Sequence, residues 1–145
     1  MTVGVEIDFV VPDSREALEL YERIFVVERS EVTDLERGQN EAVFSVYGAR
    51  FHLLDENPEF GLIAPGKDAP QTMWMNVMVP DIRRTHEAAL AAGCREVQAV
   101  TEIPQMGVIN SVFTDPFGYM WMLHQVHREL SFEERVQVME EMSGE

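Results

Sequence analysis

The stretch Glu6-Ile7-Asp8-Phe9-Val10-Val11-Pro12-Asp13 decides the reading, because its last three residues return as Val79-Pro80-Asp81 at the end of Trp74-Met75-Asn76-Val77-Met78-Val79-Pro80-Asp81. The two copies stand 68 residues apart. A second pair keeps almost the same spacing: Gly48-Ala49-Arg50-Phe51-His52-Leu53-Leu54 aligns with Gly118-Tyr119-Met120-Trp121-Met122-Leu123-His124 at an offset of 70. Two anchors in one order at nearly one offset point to an internal duplication. A unit of about 70 residues is too long for a solenoid repeat and too short to bury a large core alone. The halves must therefore pack on each other or on a second chain.

Each half carries one pattern. In Glu6–Val11, Ile7, Phe9 and Val11 fall on one side and Glu6, Asp8 and Val10 on the other, the alternation of a strand with one apolar face. Pro12 ends it, and Asp13 or Ser14 is placed to cap a helix. Ala17, Leu18, Leu20, Tyr21, Ile24 and Phe25 form that helix's apolar stripe. Strands are expected at Val26–Val32, Ala42–Tyr47 and Arg50–Leu54, with Gly48 turning the last hairpin. The second half repeats the plan: a strand at Trp74–Val79, a helix at Ile82–Ala92 closed by Gly93, and strands at Arg95–Val100, Val108–Thr114 and Tyr119–His124. Asp115-Pro116-Phe117-Gly118 has Pro and Gly where a type I turn wants them. Ser131 and Glu134 form a capping box for a last helix, whose Phe132, Val136 and Met139 make a stripe that packs on the body or on a partner. The expected organisation is a first βαβββ module over 1–56, a connector over 57–72, a second module over 73–127 and a C-terminal helix over 128–145. Phe60, Leu62 and Ile63 suggest that the connector docks onto the body.

Composition narrows the function classes. The net charge is −15, with a single lysine, Lys67, so nucleic acid, whose binders need a positive footprint, is excluded as a partner. No apolar run reaches the ~18–20 residues of a membrane span, and the first residues lack a signal-peptide pattern. One cysteine, Cys94, cannot make an internal disulfide, which favours a cytoplasmic chain with a packed, inert thiol. No phosphate loop, nucleophile elbow or Cys-x-x-Cys pattern is present.

Two tandem β-α-β-β-β units resemble the vicinal oxygen chelate superfamily, which includes glyoxalase I, bleomycin-resistance proteins and extradiol dioxygenases. The residues that carry the resemblance are Leu20-Tyr21-Glu22-Arg23-Ile24-Phe25, Asp55-Glu56 and Thr114-Asp115-Pro116-Phe117-Gly118-Tyr119-Met120-Trp121, and they look most like a PhnB-like branch. That branch usually has glycine after the helix phenylalanine, where this chain has Val26. The resemblance implies an α+β fold of curved sheets around a concave, ligand-binding cavity, with helices on the convex side. Alternation then assigns the faces. Ile7, Phe9, Val11, Phe51, Leu53, Met75, Val77, Val79, Trp121 and Leu123 are the helix-facing parity. Glu6, Asp8, Arg50, His52, Leu54, Trp74, Asn76, Met78, Met120, Met122 and His124 are the opposite one, polar enough to line a pocket rather than a core.

Metal-dependent relatives draw ligands from four strand positions that correspond here to Glu6, His52, Trp74 and Met122. Trp74 cannot ligate, and Met122 is a soft thioether, so no metal and no other cofactor is expected. A shifted trio of Glu6, His52 and His124 meets the objection that a two-residue step along a strand moves a side chain by about 6.5–7 Å. His52 with Glu6 is then either a hydrogen-bonded pair lining a wet cavity or a catalytic pair, His52 as general base and Glu6 orienting it. Arg50 is expected either to fix a ligand together with Asp8 and Asn76 or to form a salt bridge to Asp8. Trp74, Met78, Met120, Met122 and His124 complete the candidate ligand-binding set. The expected function is binding of a small organic molecule by a homodimer. The alternatives are a metal-dependent lyase, isomerase or dioxygenase, or a regulatory or scaffolding protein with a vestigial cavity.

Overall fold

The computed structural model describes residues 3–66 and 68–144; Met1, Thr2, Lys67 and Glu145 lie outside the described residues. The first half runs β1 (Ile7–Val11), α1 (Ser14–Ile24), β2 (Val27–Val32), β3 (Glu41–Val46) and β4 (Ala49–Asp55). The second runs β5 (Met75–Met78), α2 (Ile82–Ala91), β6 (Arg95–Ile103), β7 (Val108–Thr114) and β8 (Met120–Val126), and α3 (Phe132–Ser143) follows. The sheets have equivalent orders, β1-β4-β3-β2 and β5-β8-β7-β6. In each, the strand before the helix pairs in parallel with the last strand of the half, and the other pairings are antiparallel. The duplication read from the sequence is thus present in the backbone.

Equivalent side chains also anchor the helices. The Asp13 carboxylate accepts the N–H groups of Arg15 and Glu16 and caps α1. The Ser14 N–H donates to Asp55 Oδ1 at the end of β4 (2.7 Å), and the Ile82 N–H donates to Gln125 Oε1 near the end of β8 (2.8 Å). Both contacts satisfy a helix-start donor that would otherwise lack a partner. Tyr47 and Gly48 both have positive φ, 48° and 84°, the backbone of a tight β3–β4 hairpin turn.

The apolar parity of both halves enters one core. Phe9, Val11, Phe51, Leu53, Met75, Val79, Trp121 and Leu123 are buried, and Ile7 and Val77 pack half-buried against them. The two sheets meet through these faces. Phe51 of β4 and Trp121 of β8 have ring centroids 6.0 Å apart, Phe9 and Tyr119 are 4.9 Å apart, and Tyr21 of α1 lies 5.2 Å from Trp121. Polar bonds cross the same junction: the Tyr119 hydroxyl donates to the Val10 carbonyl (2.7 Å), and the buried Tyr21 hydroxyl donates to Asp115 Oδ2 (2.6 Å). Asp115 also accepts the Trp121 indole N–H and the backbone N–H groups of Phe117 and Tyr119, so this buried carboxylate is fully partnered.

In the connector, Phe60 and Ile63 are 76% and 68% exposed and do not pack as expected, whereas Leu62 is half-buried; the segment is held by backbone and polar contacts, with Asn57 bridging to Leu62 and Gln71 donating to the Gly118 carbonyl. The last helix has its capping box, but none of its residues is buried, and Phe132 and Met139 are 67% and 51% exposed. Val136 of the stripe is half-buried where the helix meets Pro104–Met106, and Phe132 and Met139 are left uncovered by this chain. No helix of the structure is long and apolar enough to cross a membrane.

Candidate functional site

Side chains alternate along a strand, so when the apolar faces of the sheets are spent on a shared core their opposite faces point outward. The first outward face carries Glu6, Asp8, Arg50 and His52, and the structure brings all four together. Arg50 Nε donates to Glu6 Oε2 at 2.6 Å, and His52 Nδ1 lies 2.9 Å from Glu6 Oε1 and 3.7 Å from Asp8 Oδ2. The expected Arg50–Asp8 bridge is therefore replaced by Arg50–Glu6. The register explains this. Asp8 stands directly opposite His52 and Ile7 opposite Phe51, which leaves Glu6, one step earlier, beside Arg50.

Glu41 of β3, which the sequence argument did not single out, completes the cluster with Oε2 at 3.7 Å from His52 Nε2. Its strand alternation would have placed it on this face, since β3 pairs with β4 and Glu41 lies opposite Leu54. His52 is mostly enclosed, its side chain 17% exposed, and its Nε2 atom is buried without a hydrogen-bond partner.

The electrostatics follow from this crowding. The Arg50 guanidinium, with His52 second, holds the Glu6 carboxyl down at about 2. Burial and the adjacent Glu6 push the Asp8 carboxyl up. Burial lowers the His52 imidazole, but Glu6, Asp8 and Glu41 together outweigh it and raise the group above its ordinary value.

The second outward face carries Trp74, Asn76, Met78, Met120, Met122 and His124. Asn76 Oδ1 and His124 Nδ1 are 2.6 Å apart, and burial lowers the His124 pKa. Trp74 and Met78 are 48% and 56% exposed. Asn110, Val112 and Thr114 of β7 stand opposite His124, Met122 and Met120 and belong to the same surface, again recoverable from strand register alone. Near the start of β8 a cavity of about 540 Å³ opens beside Met120, bounded by Arg95, Thr114, Gln71 and Asp68. Among the described residues no hydrogen bond or ion pair joins the two faces. Trp74, Asn76 and Met78 line a cavity of about 350 Å³ together with Ile7, Val46, Ala49 and Phe51 of the first module.

The other polar and thiol groups lie elsewhere. His86 is buried on α2 between Ser111 and Glu96, Nδ1 at 2.9 Å from Ser111 Oγ and Nε2 at 2.8 Å from Glu96 Oε2. Cys94 is buried, and burial pushes its thiol up to about 12, the behaviour of an unreactive packed cysteine.

A paired-sheet fold of two βαβββ modules with polar outward faces defines a class of protein, and the comparisons agree with it. The model of the Glyoxalase/Bleomycin resistance protein/Dioxygenase superfamily matches residues 5–123, and the chain belongs to that superfamily. The fosfomycin resistance protein FosX of Listeria monocytogenes, complexed with Mn(II) and sulfate, is 15% identical with a TM-score of 0.68, covering 96% of this chain and 99% of that one. TioX of Micromonospora sp. ML1 is 15% identical with a TM-score of 0.62 over 89% of this chain and 100% of its own. A gene product of Arabidopsis thaliana, At5g48480, is 16% identical with a TM-score of 0.66 over 85% and 98%. These likenesses show the fold. No curated protein matches the sequence.

The metal-dependent members of the superfamily raise the question of an ion. The four corresponding positions do not fit one: Glu6 and His52 converge on the first face, whereas Trp74 and Met122 belong to the second and supply no hard ligand.

Proposed function

We propose that this chain is a small-molecule-binding member of the superfamily, of the PhnB-like branch, which acts in the cytoplasm as a homodimer and does without the two-module metal centre. One observation carries the reading. The apolar faces of both sheets are consumed by a core within the chain, and this leaves two outward faces with partly exposed Trp74, Met78, Asp8 and Arg50. A second copy that lays its second face over the first face of its neighbour would close a pocket with a polar and an apolar wall. Such a pocket suits an organic ligand held by a few polar groups on an apolar lining. On the polar wall, Glu6, Arg50 and His52 hold one another in fixed orientations, so they are prepared to receive a ligand's donors and acceptors. On the apolar wall, the Asn76–His124 pair offers the directional contact between Trp74 and the methionines.

The test uses the position of the two tryptophans. Trp121 is fully buried and Trp74 is half exposed, so a ligand in this pocket alters Trp74 emission alone. A panel of aromatic amides and amines is titrated against the protein by intrinsic fluorescence, with Trp74→Phe as the control and sedimentation velocity reporting the dimer. A strictly monomeric protein whose Trp74 emission responds to none of the panel would sink the proposal. The enzyme reading, with His52 as base and Glu6 orienting it, has one observation in its favour, their 2.9 Å contact, and predicts turnover that is lost in His52→Gln.

A further inference from the structure

We propose that the first module alone holds a divalent first-row metal ion, through Glu6, Asp8 and His52. This set differs from the four strand positions of the metal-dependent relatives, because it takes Asp8 and nothing from the second module. It also goes beyond the ligand-binding reading and does not depend on the dimer.

The argument begins with register. Asp8 and His52 are directly opposed on adjacent parallel strands, and Glu6 reaches the same point diagonally. The spacing of about 6.5–7 Å per two residues separates Cα atoms. The side chains close that distance, and one ligand atom from each of Glu6, Asp8 and His52 lies within 4.8 Å of the others. Among the described residues this is the only such group of three or more His, Cys, Asp or Glu side chains. Ions of this kind bind at about 2.0–2.2 Å from imidazole nitrogen and carboxylate oxygen, so a small inward turn of the exposed Asp8 side chain completes the set.

The surroundings have the features that a ligand set needs. Arg50 grips Glu6 through Oε2 and leaves Oε1, the oxygen nearer His52, to face the site. Ligation through His52 Nδ1 requires the proton on Nε2, and that atom is buried, has no hydrogen-bond partner and lies 3.7 Å from the Glu41 carboxylate. Donation from the second nitrogen of a ligating histidine to a carboxylate is the usual outer arrangement of such sites. Charge agrees. Glu6, Asp8 and Glu41 surround one imidazole with a single guanidinium, Arg50, at the edge, so a cation fits where the carboxylates crowd. Two carboxylates and one imidazole suit Mn²⁺ through Zn²⁺ and leave further positions open.

The experiment is calorimetric titration of the chelator-stripped full chain with Mn²⁺ and with Zn²⁺, paired with the electron paramagnetic resonance signal of bound Mn²⁺. One ion per chain is expected. Asp8→Asn keeps the shape of the side chain and should weaken binding by at least the ~10–100-fold that even an outer-sphere change costs. Glu41→Gln should cost about 10-fold. Met139→Ala, on the exposed last helix, should leave the affinity unchanged. Thermal melting separates loss of binding from loss of fold, and Glu6→Gln stands in if Asp8→Asn unfolds. The proposal is overturned by no saturable binding to the unmodified chain or by undiminished affinity in both Asp8→Asn and Glu6→Gln. Trp74 emission reads organic ligands and the calorimetry reads the ion, so failure here leaves that reading standing, and its failure leaves this one.

Discussion

Removing the Tyr21 hydroxyl tests whether the two modules are bolted together as described. Tyr21→Phe deletes a fully buried O–H that donates to Asp115 across the junction at 2.6 Å and leaves the ring packing against Phe44 and Trp121 in place. A hydrogen bond to a charged group contributes about 1.5–3 kcal/mol. With a urea slope of about 2 kcal/mol/M, the loss moves the unfolding midpoint down by roughly 1 M. The dependence on pH has a defined sign. Burial raises the folded pKa of Asp115, and the hydrogen bonds from Tyr21, Tyr119, Trp121 and Phe117 oppose that rise. The contribution of a group raised in this way is fully present below its unfolded pKa and is lost as pH rises through the folded one. Without the hydroxyl the folded pKa climbs further, so the deficit of the variant is largest near neutral pH and narrows as pH falls into the carboxylate range. Far-UV circular dichroism and Trp121 fluorescence, followed in urea at several pH values, measure both effects. The two signals should coincide in a single transition, because the core is shared. A midpoint shift below about 0.2 M at neutral pH, or two separated transitions, would refute the reasoning.

Asp55→Asn should cost about 2 kcal/mol, because the N–H groups of Ser14, Gly38 and Asn40 all converge on this buried carboxylate. Burial raises its pKa, but those donors outweigh burial and lower it, so the stability it provides is present above the ordinary carboxylate range and fades as pH falls through the folded value. Chemical denaturation at neutral and acid pH should show that fading. Tyr47→Asn should raise the melting temperature, with a gain of about 0.5–1 kcal/mol, since Tyr47 sits at φ 48° in a turn that asparagine tolerates. Trp74→Glu places a charge on the apolar outward face and should leave a folded monomer, read by sedimentation velocity alongside an unchanged circular dichroism spectrum.

Much of this architecture could be read from residue order. The repeated Val-Pro-Asp and the alternation around Phe9, Phe51, Met75 and Trp121 predicted two equivalent halves, and the structure buries that parity in both. Period-two alternation is local information, and each strand carries its own copy. What alternation does not carry is which apolar face meets which. The burial of Trp121 against Phe51 and Tyr21 depends on contacts between residues 70 or more positions distant. The pairing of Glu6 with Arg50 rather than of Asp8 with Arg50 turned on a one-residue register that sequence alone leaves open. The last helix was legible only in part for a related reason: a stripe shows what a helix is able to bury, and α3 meets its own chain only at Pro104–Met106, which leaves Phe132 and Met139 uncovered.

The division of each strand into an inward and an outward parity has a consequence for how such a protein changes over generations. In β1, β4, β5 and β8, every residue that fixes the core has as its immediate neighbour one that meets the outside. A substitution at Asp8, Arg50, Asn76 or His124 alters the outward surface and leaves Phe9, Phe51, Val77 and Leu123 undisturbed. That surface can therefore drift one codon at a time at little thermodynamic cost. A fold arranged this way is free to be re-purposed, which fits chains only 15–16% identical to this one holding the same backbone.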